Sequence, residues 1–338
     1  MSNQTNVATV RVGNVWTLPS VIEKLGLDAR SLLGEVHLSR TDFEDPEGRI
    51  PYSAVDRLFA RIVEKSGCQH VGLLSGMMLS DLGLPGFLLM NAPTVRAGLR
   101  DLVSSLQHND GGGVATLNEQ QGVAMLSYTV ATSGITSVDQ ICDHSVAAGY
   151  GLLKRLIGSD FEVAEIRLPR RAPLDQAPYR ACFGSTIIRF NSYDAVIEFP
   201  ASFLDAPISG ASPTLYKFLK TVQAKAGEGV SMTMADQIRR ILPNLIRLEP
   251  VDNRLVAHLL GLSPRAMARR LADEKTTLHE LIDEARFEVA QQLLRDTDIG
   301  ITEVAAALYY SDASAFSRAF RRKLSVSPAA WRKAQHKS

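Results

Sequence analysis

The 338-residue chain contains only three cysteines and two tryptophans and carries a formal charge of +1. Each scarcity excludes something. Cys68, Cys142 and Cys182 are odd in number, far apart and never in Cys-x-x-Cys spacing. That excludes a disulfide framework and a zinc ribbon, and points to free thiols in a reducing cytoplasm. The amino terminus is polar and lacks the apolar stretch of a signal peptide. The apolar region around Met77–Met90 is broken by Asp81, Gly83, Pro85 and Gly86, so no membrane span is expected. No Lys-Ser/Thr follows Gly111-Gly112-Gly113, so this run is not a phosphate loop. His108 and His144 have no Cys or Ser and acid partners in a recognisable nucleophilic motif, and no catalytic residue or metal site is expected.

What is present describes an ordinary globular chain of two domains, 45% hydrophobic and 22% charged. The near-zero charge conceals an asymmetry. From Glu228 onward there are 17 Lys and Arg against 14 Asp and Glu, whereas the rest of the chain is net acidic. Arg318, Arg321, Arg322 and Lys323 form one basic group, and Arg332, Lys333 and Lys337 another. A charge run is commonly just a solvated helix face. Here both groups flank a repeat, which favours phosphate contact.

That repeat is the most informative feature. Val256-Ala257-His258-Leu259-Leu260-Gly261-Leu262-Ser263 aligns without a gap with Val304-Ala305-Ala306-Ala307-Leu308-Tyr309-Tyr310-Ser311. The second copy then carries one extra residue. Apolar, Arg and apolar follow at equal spacing: Met267, Arg269 and Leu271 in the first copy, Phe316, Arg318 and Phe320 in the second. Each copy reads as a short helix, a tight turn, a Ser cap and a second amphipathic helix, the layout of a helix-turn-helix. Two on one chain imply double-stranded DNA as the partner.

The coarse organisation is α+β. Helices dominate from about 15 to 110. Val114–Leu117 and Val123–Val130 read as strands about an Asn-Glu-Gln-Gln-Gly turn, and Val138–Ile157 as a helix. Val163–Leu168, Ile187–Phe190 and Ala195–Phe199 read as further strands, and Leu215–Ala226 as a helix leading to Gly227-Glu228-Gly229. The expected division is 1–212 for effector binding and dimerisation, 213–229 for a linker helix and linker, and 230–338 for an all-α domain. In that domain a long helix, Thr277–Asp296, joins the two helix-turn-helix subdomains. A helix from Met234 is expected to end at Pro243, and Ser311 to cap the second reading helix. Groove-facing candidates are Ser263, Arg265, Ala268 and Arg269 on the first reading helix. On the second they are Ala313, Ser314, Ser317, Arg318, Arg321 and Arg322. Arg318 is open between a base edge and a phosphate. Arg270 and Arg286 are expected in internal salt bridges.

The segment from about 230 to 335 resembles the AraC/XylS family of bacterial transcription activators. The match lies in Ala257, Leu262-Ser263, Met267, Arg269, Leu271, Arg286, Ala290, Leu293-Leu294, Ile301-x-Glu303-Val304-Ala305, Ser311-Asp312-x-Ser314-x-Phe316-Ser317-Arg318-Ala319-Phe320 and Ser327-Pro328-x-x-Trp331-Arg332. The resemblance implies seven helices whose two subdomains enter successive major grooves on one face of the DNA. Lys275, Tyr309 and Ser325 stand where the family usually has Gly.

The region from 1 to about 210 resembles the arabinose-binding-type sensor domain of amino-acid-catabolism regulators in the same family. That likeness rests on Asp45-Pro46…Arg49-Ile50-Pro51, Leu82-Gly83-x-x-Gly86-Phe87, Pro178-Tyr179-x-x-x-Phe183-Gly184 and Phe199-Pro200-x-x-x-Leu204-x-x-Pro207-Ile208. It implies a small-molecule effector and a homodimer, and with them an activator that contacts RNA polymerase in the bacterial cytoplasm at the nucleoid. Candidate effector contacts are His108, Tyr128, His144 and Tyr150, each of which also suits a satisfied structural role. No cofactor is expected. The alternative is a haem-bearing or redox sensor, or an enzyme, fused to a DNA-binding domain, with His108 or His144 as the iron ligand.

Overall fold

A computed structural model describes residues 8–80, 82–132, 134–158, 161–226, 233–248, 251–260, 262–297 and 299–335. The chain divides into two compact units, the second made of Thr233–His258 and Leu262–Ser338.

The first unit opens with β1 (Thr9–Arg11), α1 (Leu18–Lys24), α2 (Ala29–Glu35), β2 (Arg49–Pro51), α3 (Tyr52–Ser66), α4 (Val71–Met77), α5 (Leu84–Asn91) and α6 (Val95–Asn109). There follow β3 (Gly113–Gln120), β4 (Val123–Val130), α7 (Val138–Ile157), β5 (Glu165–Arg167), α8 (Ala177–Phe183), β6 (Ile187–Arg189), β7 (Ala195–Pro200) and α9 (Pro213–Ala226). The five-stranded sheet has the order β3-β4-β7-β5-β6 and is antiparallel except between β5 and β6. β3 runs three residues further than the alternation of Val114–Leu117 suggests. The true turn is Gln121-Gly122, with φ of +52° and +80°, the two left-handed residues of a two-residue hairpin. β3 lies at the sheet edge, so Glu119 and Gln120 stay exposed while their backbones pair with Ala124 and Val123.

α7 packs on β4 and β7 and α6 on β3, and α7 is central. Asp56 on α3 accepts the Thr136 and Ser137 amides at 2.9 and 2.7 Å and so caps α7 from a distant segment. α4 meets α7 backbone to backbone. A Cβ at Gly72 would lie 2.0 Å from the Gln140 carbonyl oxygen, and one at Gly76 2.3 Å from that of His144. The sensor-class motifs meet at Arg11, which is 2% exposed. Its guanidinium pairs with Glu47 at 2.5 and 2.9 Å and donates to the Leu82 carbonyl at 2.9 Å, in space kept open by Gly83. On the outer side, α9 is held to α6. Asp101 accepts Tyr216 Oη at 2.5 Å and Lys220 Nζ at 2.8 Å, and Gln223 donates to Ser105 Oγ at 2.6 Å.

The second unit comprises α10 (Met234–Leu248), α11 (Asn253–Leu259), α12 (Pro264–Asp273), α13 (Leu278–Asp296), α14 (Ile301–Ala307), α15 (Ala313–Leu324) and α16 (Pro328–Gln335). α10 does not stop at Pro243 but carries it inside. Ile238, Ile241, Leu242, Leu245 and Ile246 are all buried. Continuing the helix keeps the last two in the core, which outweighs the hydrogen bond that proline forfeits. Thr277 and Glu280 close a capping box at the start of α13. Glu274 accepts the Met234 and Ala235 amides at 2.8 Å each, tying the start of α10 to the end of α12. Among the described residues no helix is long and apolar enough to cross a membrane.

Candidate nucleic-acid interface and effector cavity

The two copies of the repeat fold alike, down to single hydrogen bonds. The Leu262 amide donates to the Ala257 carbonyl at 2.8 Å, and at the matching place the Tyr310 amide donates to Ala305 at 3.0 Å. Val256, Ala257, Met267 and Leu271 are each at most 1% exposed, as are Val304, Ala305, Phe316 and Phe320. The extra residue of the second copy has a structural explanation. Ser263 Oγ caps α12 by accepting the Ala266 amide at 3.2 Å. In the second copy the cap is not Ser311 but Asp312, which accepts the Ala315 amide at 2.7 Å, while Ser311 donates to the Asp312 carboxylate. Counted from the cap, Met267 and Phe316 occupy the same position. A carboxylate suits this role better than a hydroxyl because it also answers the positive end of the helix.

With Met267 and Leu271 turned inward, Ser263, Arg265, Ala268 and Arg269 lie exposed on α12. On α15, Phe316 and Phe320 face inward, Ser314, Arg318, Arg321 and Arg322 are exposed, and Ala313 and Ser317 are half-buried. Arg265, Arg269, Arg318, Arg321 and Arg322 have no ion pair or hydrogen-bond partner among the described residues. Such cations keep their full charge available for phosphates and guanine edges. Arg286 differs from expectation. It makes no salt bridge among the described residues and instead lies over the Tyr310 ring, 5.8 Å from its centroid. Arg270 is exposed and also pairs with no acid.

In the first unit a cavity of about 120 Å³ lies between α7 and the sheet, with α3 and α6 at its sides. Its cause is a set of small side chains facing one another: Ser145, Ala148 and Gly149 on α7 opposite Ala115 and Ala195 on β3 and β7. Val55, Phe59, Leu102, Leu106, Leu126 and Ile197 are among the apolar residues of the remaining wall. At one end is a polar group that sequence reasoning half missed. Tyr128 donates to Asp110 Oδ2 at 2.5 Å, and Tyr52 lies 3.0 Å from the Tyr128 hydroxyl. Asp110 Oδ1 accepts the Gly112 and Gly113 amides at 2.9 and 3.0 Å. The triple-glycine run gives way to these tyrosines. A Cβ on Gly112 would lie 2.1 Å from the Tyr52 ring, and one on Gly113 2.1 Å from the Tyr128 hydroxyl. Burial, reinforced by Asp110, pushes both phenols well above their usual range, so both keep their protons.

Of the four candidate effector residues, Tyr128 and His144 line the cavity. Tyr150 does not. It packs edge-on against Phe183 at 5.3 Å under Lys154, because its place on α7 is turned away from the small-residue stripe. The His108 side chain lies outside the described residues. His144 is fully engaged: Nε2 donates to the Asn14 carbonyl at 2.8 Å and Nδ1 accepts from Ser75 Oγ at 3.1 Å. Burial lowers its pKa to about 4, so the ring is neutral, with both nitrogens occupied. A ring held in this way has no lone pair for an iron or zinc ion. Tyr52 and Asp110 could have been suspected from the triple glycine, since three consecutive small residues beside a helix end signal a close approach.

A family model described as the arabinose-binding domain of AraC transcription regulators matches residues 26–208. A second, described as a helix-turn-helix domain, matches residues 256–334. The HTH-type transcriptional regulator VqsM of Pseudomonas aeruginosa is 27% identical over 56% of this chain and 59% of its own length. The HTH-type transcriptional regulator VirS of Mycobacterium tuberculosis is 24% identical over 96% of each chain. The crystal structure of the transcriptional regulator CdpR from Pseudomonas aeruginosa is 22% identical, covers 94% of this chain and 96% of its own, and superposes with a TM-score of 0.43.

Proposed function

The chain belongs to the AraC-type transcription regulators with an arabinose-binding amino-terminal domain, and from that premise we propose that it is an effector-switched activator without catalytic activity. It is a DNA-binding transcription regulator with an amino-terminal ligand-binding domain. In the proposal α12 and α15 read successive major grooves, chiefly through Arg265, Arg269 and Arg318, with Ser263, Ala268, Ala313, Ser314 and Ser317 shaping the fit. Arg321 and Arg322 hold phosphates. The carrying observation is that two helices with matched inward residues and matched caps each present exposed, unpaired arginines. The protein works in the cytoplasm on nucleoid DNA, as a homodimer that contacts RNA polymerase. Exposed Phe87 and Met90 on α5 and Leu215 and Phe218 on the adjoining α9 support self-association through that side of the first unit.

The proposed switch is a population shift. Leu102 and Leu106 of α6 line the cavity, and Asp101 and Ser105 of the same helix hold α9. An effector that moves α6 therefore alters the seat of the last helix before the DNA-binding unit.

A gel-shift titration of the full chain on its own upstream DNA tests the reading. Arg269→Ala and Arg318→Ala are each expected to weaken binding about 10-fold or more. Loss of a base contact relaxes sequence preference, and loss of a phosphate contact flattens the salt dependence. Undiminished selective binding by both variants would reject these helices as the readers.

A further inference from the structure

The cavity in the first unit also indicates what kind of molecule fits it, on the reading that this unit takes an effector. Its walls are mostly hydrocarbon. The polar side chains facing it are largely spent as donors. Ser145 gives its proton to the Ile141 carbonyl at 2.9 Å, and His144 gives its own to Asn14. At the tyrosine end the proton order is forced. Tyr128 has a single hydroxyl proton and uses it on Asp110 at 2.5 Å. The 3.0 Å contact between the hydroxyls must then be Tyr52 donating to Tyr128. Both tyrosines line the cavity, and neither phenol has a further proton to give, so toward a ligand their oxygens can act only as acceptors. The lining residues whose side-chain donors are not engaged elsewhere among the described residues are Asn14, Ser127 and Arg155, the last exposed at the rim.

We propose that the effector is a compact, mainly apolar molecule, about the size of a single benzene ring, whose one polar head donates a hydrogen bond, as a hydroxyl or an ammonium group, to the Tyr52–Tyr128 pair. The size follows from the 120 Å³ of space, since an apolar cavity of about 150 Å³ holds benzene. A pentose does not suit these walls, despite the description of the family model. It would bury several hydroxyls against hydrocarbon, each unpaired one weakening binding about tenfold. A carboxylate head fails at the tyrosine end because it brings only acceptors to acceptors, beside Asp110.

The test uses the full chain and five probes: phenol, benzylamine, toluene, benzoate and L-arabinose. Binding is followed by calorimetric titration and by the melting temperature of the protein. Phenol or benzylamine is expected to bind at least tenfold tighter than toluene, and which of the two wins distinguishes hydroxyl from ammonium. Benzoate and arabinose are expected to bind more weakly than either. Tyr128→Phe should bring the donor-headed probe down to the level of toluene. Ala148→Leu should abolish binding of all probes. Gly149→Ala, whose new methyl would meet Ile197 Cδ1 at 3.1 Å, should weaken it without unfolding the chain, as checked by circular dichroism. Tighter binding of arabinose or benzoate, toluene equal to the better of phenol and benzylamine, binding that survives both α7 variants, or no binding of any probe each overturns the proposal. The effector reading is scored separately, by whether a small-molecule extract changes DNA affinity in the gel shift. An extract that does so while no probe binds sinks the ligand class and leaves the effector standing.

Discussion

His144 shows how one buried side chain ties stability to pH. Burial pulls its pKa from 6.5 to about 4, against a smaller opposing effect of the Asn14 carbonyl. Between those two values the unfolded chain binds the extra proton and the folded chain does not. The folded state therefore loses stability as pH falls from about 6.5 to about 4, by roughly 3 kcal/mol in full. Asp143 works in the opposite sense. Burial outweighs its contacts with Arg170 and with Tyr179 Oη at 2.6 Å and raises its pKa from 3.8 to about 7. Its contribution declines as pH rises from about 4 to about 7. The two partly cancel in the wild type, so the difference between proteins isolates the histidine. Relative to wild type, the urea midpoint of His144→Gln should rise on going from pH 7 to pH 5, because Asp143 is no longer offset, and an equal change in both proteins would mean that the ring protonates in place. Nothing local to Asp143-His144-Ser145 announces this. It arises because α4 touches α7 closely enough to set Ser75 against the imidazole.

At the scale of elements, the ends of helices in the DNA-binding unit carry a strain legible in advance. Lys275, Tyr309 and Ser325 depart from the family's glycines, and all three have left-handed backbones, with φ of +59°, +57° and +61°. Ser325 caps α15 in that conformation, and Tyr309 sits in the turn before α15. An L-residue there costs roughly 1 kcal/mol more than glycine. Tyr309 is 40% exposed, so its ring offsets little of this by packing. Tyr309→Gly is expected to stabilise the unit by up to about 1 kcal/mol and to leave DNA binding intact, which a melting curve and a gel shift read together. A lower melting temperature would show that the ring packs better than its exposure implies. The Ser263 cap of α12 was legible for the same reason as the strain, since a turn is decided within five residues, whereas at α15 the expected Ser311 gave way to its neighbour Asp312. Pro243 was misread because its local cost was visible, while the burial of Leu245 and Ile246 that overrides it depends on α13, some forty residues later.

On the scale of the whole molecule, Asp101 is the joint through which the cavity reaches α9. It holds Tyr216 and Lys220 on one side of α6, while Leu102 and Leu106 meet the cavity on the other. In Asp101→Ala the amides of Pro213–Ala226 should exchange with deuterium about tenfold faster, and DNA affinity should stop responding to an inducing extract. Unchanged exchange would show that the helix is held by apolar contact alone, and an intact response would remove α6 from the switch.

The sequence by itself determined the repeat, the inward and outward faces of α12 and α15, the long helix between them and the alternation of helix and sheet in the first unit. Those follow from hydrophobic period and from caps, interactions that span four residues or fewer. Only the tertiary structure decided that a cavity exists, that Tyr52 and Asp110 join Tyr128 at its end, and that Tyr150 is turned elsewhere. A cavity is space left where Ala115, Gly149 and Ala195 fail to fill the gap between elements distant in the chain. Small residues at scattered positions carry no periodic signal until folding sets them opposite one another.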